Sequence, residues 1–257
     1  MLTEERRAKV LAEIKRHQFI SVNQLSRIFN VHGTTIRRDL DELEEQGKVI
    51  RIHGGVVPSD VKQEEPTFNE RETEKIEEKI RIGQYAATLI KNGECIILDS
   101  GTTTLQIARS LNALKNIRNV TVITNDVNIA SFLRGNNRIT TVVTGGTLFH
   151  DSFMLNGQIT NETIAKLNVD KGFIATPALD IETGVNHFNE LLVSAKRGMV
   201  QAASQKIVVA DHSKIGHRAL YPFLPLNEID TLITDDKADP LLLKQLKTNG
   251  IKRIKTV

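Results

Sequence analysis

The sequence predicts an α/β domain, with a largely parallel sheet covered by helices on both faces, behind a small winged helix-turn-helix domain. The larger domain is predicted by the chain after residue 92, where short continuous apolar runs alternate with helical patterns. Such runs lack the polar and apolar alternation of a half-exposed strand and are typical of a sheet buried on both faces. The smaller domain is predicted by the first 57 residues, in which three short helical patterns precede a β-prone run.

The length and composition of the chain limit the classes of protein to which it can belong. A chain of 257 residues, 40% hydrophobic and 25% charged, can form one large or two unequal globular domains. Its single cysteine, Cys95, argues against a disulfide framework and against a cysteine-based metal site. The N-terminus has no apolar signal region and no long apolar run follows, so we expect a cytoplasmic protein. We predict domains at residues 1–57 and 80–257, joined by a linker at 58–79.

The first two helices have recognisable starts. Thr3 can cap a helix whose buried side is Val10, Leu11 and Ile14. Ser21 and Gln24 have the spacing of a capping box, which predicts a second helix from about residue 22.

The third helix carries the candidate DNA-reading surface. Ile36, Leu40 and Leu43 form an apolar stripe at helical spacing, so hydroxyl and guanidinium groups point away from the core. By itself this pattern also fits a solvated amphipathic helix, but the two preceding helices favour a reader of the major groove. The candidate contacts on this helix are Thr34, Thr35, Arg37 and Arg38.

A short β-prone run, Lys48–Ile52, is followed by Gly54-Gly55 and Val56-Val57, which predicts a two-stranded wing. Arg51 and His53 would then lie beside a phosphate or the minor groove. Acids at 41, 42, 44 and 45 would repel phosphates, so only the amino-terminal half of the third helix can enter the groove. With a net charge of only +3, DNA binding must depend on a few placed contacts.

Residues 58–79 contain two prolines and a run of acids, a composition typical of a domain boundary. Their second half merges into a helical pattern that continues to Ile90. This helix could form a dimer contact, relay a signal between the domains, or be a plain solvated helix.

The strand-length apolar runs end in polar or glycine-rich segments. Because ligands of such folds bind at the carboxyl ends of the strands, these segments predict an effector site. Backbone amides and hydroxyls at a helix start suit a phosphate, while Asp, Asn and Lys side chains suit sugar hydroxyls and negative charge. The candidate effector-binding residues are Asp99, Ser100, Gly101, Thr102, Thr103, Thr124, Asn125, Gly145, Gly146, Asp211 and Lys214.

A set of motifs in a fixed order closely resembles the DeoR family of transcriptional repressors. The motifs are Val31 to Leu40, His53-Gly54-Gly55, Asp99 to Thr103, Thr124-Asn125, Gly145-Gly146, Gly157 and Ala210 to Lys214. The resemblance runs from about residue 3 to residue 236. It implies a sensor domain related to ribose-5-phosphate isomerase, and a repressor of a sugar-utilisation operon that a phosphorylated sugar releases from double-stranded operator DNA. It also implies a homodimer or homotetramer, since two recognition helices must meet two half-sites.

The sequence departs from the family pattern at two places. His32 stands where the family usually has a capping Ser, so we expect Gly33 or Thr34 to take over the cap. After Gly184, the family tends to be Thr-rich and acidic, whereas Val185–Phe188 and Leu191-Leu192 stand here, which bears on the identity of the effector.

An alternative is a sugar-phosphate isomerase with an appended DNA-binding module, since Asp99, Asp211 and Lys214 could transfer protons. The sequence shows no acid/base pair of clear spacing and no nucleotide-binding glycine motif, so we predict a regulator without catalytic residues, cofactor or metal. The sequence leaves open whether the protein represses or activates, and whether its effector is a sugar or another molecule.

Overall fold

The computed structural model describes residues 3–17, 20–52, 55–58 and 66–257. The chain divides into two compact units, and the division falls between Glu65 and Pro66. The second unit comprises Pro66–Gly216 and Tyr221–Val257. Each unit has its own buried apolar core.

The N-terminal unit is a winged helix-turn-helix, as predicted. Its elements are α1 (Thr3–His17), α2 (Val22–Phe29), α3 (Gly33–Glu45), β1 (Val49–Ile52) and β2 (Gly55–Pro58). The two strands pair antiparallel, with Ile52 opposite Gly55. Ile20 also exchanges backbone hydrogen bonds with Val56, at 3.1 and 3.0 Å between N and O, so the wing is tied to the chain just before α2.

Local capping and a shared core hold α2 and α3 in place. The predicted capping box is confirmed: the Ser21 hydroxyl accepts from the Gln24 amide at 3.2 Å, and the Gln24 side chain accepts from the Ser21 amide at 2.9 Å. The predicted stripe of α3 is also confirmed, because Ile36, Leu40 and Leu43 are buried against α1. The core residues are Val10, Ile14, Ile20, Leu25, Ile36, Leu40, Leu43, Val49 and Val56.

The second unit is built on a parallel sheet covered on both faces. Its helices are α4 (Phe68–Thr73), α5 (Ile76–Thr88), α6 (Thr102–Ala113), α7 (Val127–Leu133), α8 (Gln158–Ile164), α9 (Glu190–Ala202) and α10 (Pro240–Thr248). Its strands are β3 (Cys95–Leu98), β4 (Val120–Thr124), β5 (Ile139–Val143), β6 (Thr147–Phe149), β7 (Met154–Asn156), β8 (Val169–Ala175), β9 (Ala178–Asp180), β10 (Gly184–His187), β11 (Ala203–Val209), β12 (Tyr221–Leu224), β13 (Thr231–Thr234) and β14 (Arg253–Thr256).

Seven of these strands form the parallel sheet in the order β14-β13-β11-β8-β3-β4-β5. Successive side chains point to opposite faces, so Ile97 joins the core beneath α8, α9 and α10, while Ile96 and Leu98 join the core beneath α5, α6 and α7. This arrangement confirms the predicted fold class. Smaller antiparallel sheets, β12-β10-β9 and β6-β7, lie in the same unit.

The two small antiparallel sheets were not predicted, and two further features differ from the sequence-based expectation. Strand β14 was not predicted, because Arg253 and Lys255 alternate with Ile254 at the edge of the sheet, where charged side chains are tolerated. The segment predicted as a linker contains α4 and the first turn of α5. Among the described residues, no helix is long and apolar enough to cross a membrane.

Candidate functional site

The amino-terminal half of α3 presents the predicted DNA-reading side chains to solvent. Thr34, Arg37 and Arg38 are exposed and Thr35 is half-buried. Within the described part of the chain, the guanidinium groups of Arg37 and Arg38 make no hydrogen bond or ion pair, so both can reach a phosphate or a base edge. Their role in DNA contact stays a prediction.

The start of α3 is capped by His32 itself, and the expectation that Gly33 or Thr34 takes over the cap was wrong. His32 has the extended backbone of an N-cap, and its Nδ1 accepts from the Thr34 amide at 3.4 Å. The same nitrogen lies 3.0 Å from the Thr34 hydroxyl. An imidazole nitrogen has a lone pair and can replace the oxygen of a capping Ser, although the contact with the amide is long.

A buried carboxylate fixes the position of α3 against α1. Asp39 is 1% exposed and accepts from Arg6 through both oxygens, at 2.6 and 3.0 Å. Arg7 donates to the same carboxylate at 3.3 Å. Because Asp39 lies within α3 but faces the unit's interior, this charge does not weaken the positive outer face.

On the wing, Arg51 forms an ion pair with Asp41, and its backbone amide donates to the Glu44 carboxylate at 2.9 Å. The structure therefore places this candidate DNA contact against the acidic second half of α3, where it compensates one of the charges that would repel phosphate. His53, the other candidate contact on the wing, lies outside the described residues.

In the second unit, Asp99 follows β3 and is completely buried. Its Oδ2 accepts from the Lys196 ammonium and, at 3.1 Å, from the Ala175 amide. Lys196 also donates to the Ala175 carbonyl at 3.1 Å. Burial raises the pKa of the Asp99 carboxyl, while its contact with Lys196 acts in the opposite direction. The Oδ1 atom of Asp99 is buried without a hydrogen-bond partner in the described structure.

Gly101 precedes α6 and leaves its first turn without a side-chain cap. A Cβ atom at Gly101 would lie 2.8 Å from the Ala175 side chain, so the close approach of β8 requires glycine here. Thr102 and Thr103 form the buried first turn, whose backbone amides point out of the helix end. Uncapped amides at the positive end of a helix dipole favour an anion.

The end of β4 adds polar groups to the same edge. Leu98 and Thr124 are paired in the sheet, so the residues that follow each of them emerge side by side. Asn125 is buried, its amide donates to the Leu155 carbonyl at 3.0 Å, and its Oδ1 has no partner in the described structure. Thr124 accepts from the Asp126 amide at 3.0 Å.

Asp126 connects the β3 and β4 segments. Its Oδ2 accepts from the Ser100 hydroxyl at 3.0 Å, and its Oδ1 caps α7 by accepting from Asn128 and Ile129. Burial raises the pKa of Asp126 to about 6, against the effect of these hydrogen bonds. Ser100 is thereby oriented by a carboxyl group that the sequence analysis did not single out.

Gly145 and Gly146 have a structural reason to be glycine. Both have positive φ, 74° and 118°, and a Cβ at Gly146 would lie 2.2 Å from the Thr160 hydroxyl. That hydroxyl donates to the Gly145 carbonyl at 2.6 Å and so ties the end of β5 to α8. The structure shows their role in this close approach, and their contact with an effector stays a prediction.

Asp211 follows β11, two strands away from Asp99 in the sheet order. Its carboxylate accepts from the Ser213 amide at 3.0 Å and caps the short 3-10 helix His212–Lys214. Lys214 is half-buried and, within the described part of the chain, makes no hydrogen bond or ion pair. Burial lowers the pKa of nearby Lys79 to about 8, and Asp211 and Lys214 are close enough to modify it.

The structure thus brings Asp99, Ser100, Gly101, Thr124 and Asn125 together at the carboxyl ends of β3 and β4. Asp211 and Lys214 follow β11 at the same edge, and among the described residues no hydrogen bond or ion pair joins them to that group. Sequence reasoning missed Lys196, because nothing in the sequence of α9 signals a partner 97 residues earlier. It also missed Asp126, although its position before a helical pattern is the signal of an N-cap.

Comparisons with known proteins agree with this division into two units. Residues 6–61 match the model of the DeoR-like helix-turn-helix domain, and residues 74–236 match that of the DeoR C terminal sensor domain. The HTH-type transcriptional repressor GlcR of Bacillus subtilis (strain 168) is 37% identical over 256 residues, covering 100% of this chain and 97% of the relative. The HTH-type transcriptional regulator YulB of the same organism is 35% identical over 252 residues, covering 98% and 96%.

Among solved structures, ribose 5-phosphate isomerase A from Methanocaldococcus jannaschii superposes with a TM-score of 0.39 at 17% identity. The superposition covers 53% of this chain and 52% of that protein.

Proposed function

This chain belongs to the DeoR family of transcription regulators, and from that premise we propose that it represses a sugar-utilisation operon and leaves its operator when a phosphorylated sugar binds the second unit. The description of GlcR, a full-length relative, as a transcriptional repressor supports the sign of regulation. The alternative, a sugar-phosphate isomerase, has no comparable support. We therefore propose that the site at the carboxyl ends of β3 and β4 binds its ligand without catalysing a reaction.

One observation carries the effector proposal: two buried acceptor oxygens, Asp99 Oδ1 and Asn125 Oδ1, have no donor in the described structure. A buried acceptor without a partner costs free energy, on the order of 1 to 3 kcal/mol. Ligand hydroxyl groups can supply both donors at once, because β3 and β4 are adjacent and in register. Since both atoms only accept in these arrangements, the site favours a ligand with hydroxyl groups.

The phosphate is assigned to the neighbouring start of α6. The amides of Thr102 and Thr103 stand at a helix terminus without a side-chain cap, and Gly101 lets the ligand approach the backbone. Lys214, which makes no hydrogen bond or ion pair with a described residue, supplies a cation along the same edge. A phosphorylated polyol therefore matches both parts of the site.

DNA is assigned to α3, with Thr34, Thr35, Arg37 and Arg38 in the major groove and Arg51 and His53 of the wing as flanking contacts. A homodimer or homotetramer would present two such helices to operator half-sites. The effector can act only by binding more tightly to an arrangement in which their spacing does not fit the operator.

The direct test is a thermal-shift screen of the full-length protein against sugar phosphates, each paired with its unphosphorylated sugar. Both tyrosines, Tyr85 and Tyr221, lie in the second unit and there is no tryptophan, so tyrosine fluorescence reports the unfolding of this unit alone. We expect one sugar phosphate to raise its melting temperature and the matching free sugar to have little effect. If no sugar phosphate binds, or if the free sugar binds equally well, the effector assignment is wrong.

A variant separates the two sites. Lys214→Ala should bind operator DNA normally but no longer release it when the effector is added, because the cation that attracts the phosphate is gone. Lys115→Ala, which removes an exposed lysine outside the site, is the control and should respond normally. A normal response in Lys214→Ala removes Lys214 from the effector site.

A further inference from the structure

A second concave surface lies away from the effector site, along edge strand β14 and the amino-terminal parts of β8, β11 and β13. This groove has a volume of about 770 Å³ and is bounded by the last turn of α5 and by α10. Its floor is apolar, formed by side chains such as Leu89, Ile207 and Leu243, with the ring of Tyr85. A concave volume of roughly 300 to 1,000 Å³ is typical of small-molecule sites.

The lining is strongly basic and, within the described part of the chain, contains no carboxylate. Its cationic residues are Lys91, Lys171, Lys244, Lys247, Arg253 and Lys255. Residues 80–257 carry twenty Lys and Arg and fifteen Asp and Glu, a net charge of +5, so this one groove holds about as much charge as the whole domain has in excess.

Only part of this charge is compensated by neighbouring groups. Lys171 forms an ion pair with Glu94, and Lys255 lies over the Tyr85 ring, 5.1 Å from its centroid. The side chains of Lys91, Lys244 and Arg253 make no hydrogen bond or ion pair with any described residue. These three cations come from the loop after α5, from α10 and from β14, and they line the same groove.

We propose that this groove binds a small organic polyanion with an apolar or aromatic body, independently of the effector. Three cations that have no partner among the described residues, Lys91, Lys244 and Arg253, select an anion with more than one charge. The apolar floor selects a ligand that has more than a charged group. The cations surround a cavity and do not form a stripe along one face, so a small molecule fits better than duplex DNA. Since α5 also carries Lys79, close to Asp211 and Lys214, a ligand in the groove would contact a helix that reaches the effector side.

Isothermal titration of the full-length protein tests this proposal, with ATP as the probe that combines polyanion and aromatic body. Pyrophosphate supplies the charge alone, and adenosine supplies the body alone. We expect saturable binding of ATP, weaker binding of pyrophosphate and none of adenosine. In the double variant Lys244→Gln/Arg253→Gln the Kd for ATP should rise at least tenfold.

The control is Lys115→Gln/Lys166→Gln, which removes the same net charge from exposed lysines outside the groove and should bind ATP as the wild type does. All four substituted side chains are exposed, and tyrosine fluorescence melts confirm that each variant folds. The proposal is overturned if ATP does not saturate, if the control loses as much affinity, or if pyrophosphate binds as tightly as ATP. It is also overturned if the groove variant weakens operator binding but not ATP binding.

Discussion

The two candidate sites use charge in opposite ways. On α3 the guanidinium groups of Arg37 and Arg38 are exposed and have no partner among the described residues, whereas at the end of β3 the charges of Asp99 and Lys196 are buried and paired. The cations of an exposed DNA-binding surface remain hydrated in the free protein, so they carry little desolvation free energy. At the buried carboxyl end of a strand, each charged side chain needs an oppositely charged partner within the fold, because an unpaired buried charge strongly destabilises the folded state. The comparison predicts large stability effects in the second unit and mainly binding effects in the first.

The largest effect is expected from Lys196→Met, which leaves the Asp99 carboxylate buried without its partner. Breaking a buried ion pair in this way typically costs about 3 to 5 kcal/mol of unfolding free energy. Urea titration followed by tyrosine fluorescence measures this loss for the second unit. The exposed pair Lys206–Glu228, at 3.4 Å, provides the control: Lys206→Met should cost less than about 1 kcal/mol.

The double variant Lys196→Met/Asp99→Asn sharpens this result. Replacement of the Asp99 carboxylate by an amide should recover part of the lost stability, because the amide carries no charge. Together with the two single variants, this double variant completes a double-mutant cycle, which gives the coupling free energy between the two side chains. A loss below about 1 kcal/mol in Lys196→Met would mean that the pair is not buried in solution, and the contrast between the two units would fail.

The next effect depends on pH and belongs to Asp126. Its pKa is raised by burial to about 6 from 3.8, so the protonated form is favoured by folding. The stability that it contributes is therefore full below about pH 4 and is lost as the pH rises through about 6. Relative to Asp126→Asn, which can still cap α7 through its amide oxygen, the wild type should lose roughly 2 to 3 kcal/mol over this range.

Urea titrations of both proteins at several pH values between 4 and 7.5 measure this difference. Asp239→Asn replaces an exposed carboxylate cap at the start of α10 and is the matched control. If the difference between wild type and Asp126→Asn does not change with pH, the carboxyl group is not held in the buried environment that orients Ser100.

The exposed helix face in the first unit could be predicted from the sequence, whereas the buried ion pair in the second unit could not. The exposed face of α3 follows from the spacing of Ile36, Leu40 and Leu43, because helical periodicity is a local property. The parallel sheet and its polar strand ends were predictable for the same reason. The partner of Asp99 was not, because an ion pair between positions 99 and 196 depends on how α9 packs beneath β8, which no local pattern states.

At two further positions the structure gives a residue a role that its sequence pattern did not indicate. Gly145 and Gly146 were assigned to the effector because they follow a predicted strand, and the close approach of Thr160 accounts for glycine at 146 independently of any ligand. His32 was not expected to cap α3, because histidine is uncommon at an N-cap. The cap requires only an acceptor that can reach the Thr34 amide, and the lone pair of the His32 Nδ1 atom provides it.

In the N-terminal unit, Arg38→Ala should weaken operator binding by about 1 to 3 kcal/mol without loss of folding, because Arg38 has no partner within the described fold. Fluorescence anisotropy with labelled operator DNA measures the affinity, and helix content by circular dichroism checks the fold. Arg16→Ala, on α1 and paired with Glu13 at 3.6 Å, is the control and should bind normally. Unchanged binding by Arg38→Ala would mean that another face of α3 meets the DNA.

The smallest effect concerns the start of the same helix. His32→Ala removes a cap whose nitrogen lies 3.4 Å from the Thr34 amide, so α3 should lose only a few tenths of a kcal/mol, less than the ~1 kcal/mol of a typical cap. His32→Ser should instead strengthen the start of α3, since a hydroxyl on a shorter side chain can approach that amide more closely. Hydrogen exchange of the α3 amides in the full-length protein resolves changes of this size. Slower exchange in His32→Ser together with unchanged operator affinity would show that His32 is tolerated as a weak cap, whereas weaker operator binding in His32→Ser would show that the imidazole itself contributes to the DNA-reading surface beside Thr34.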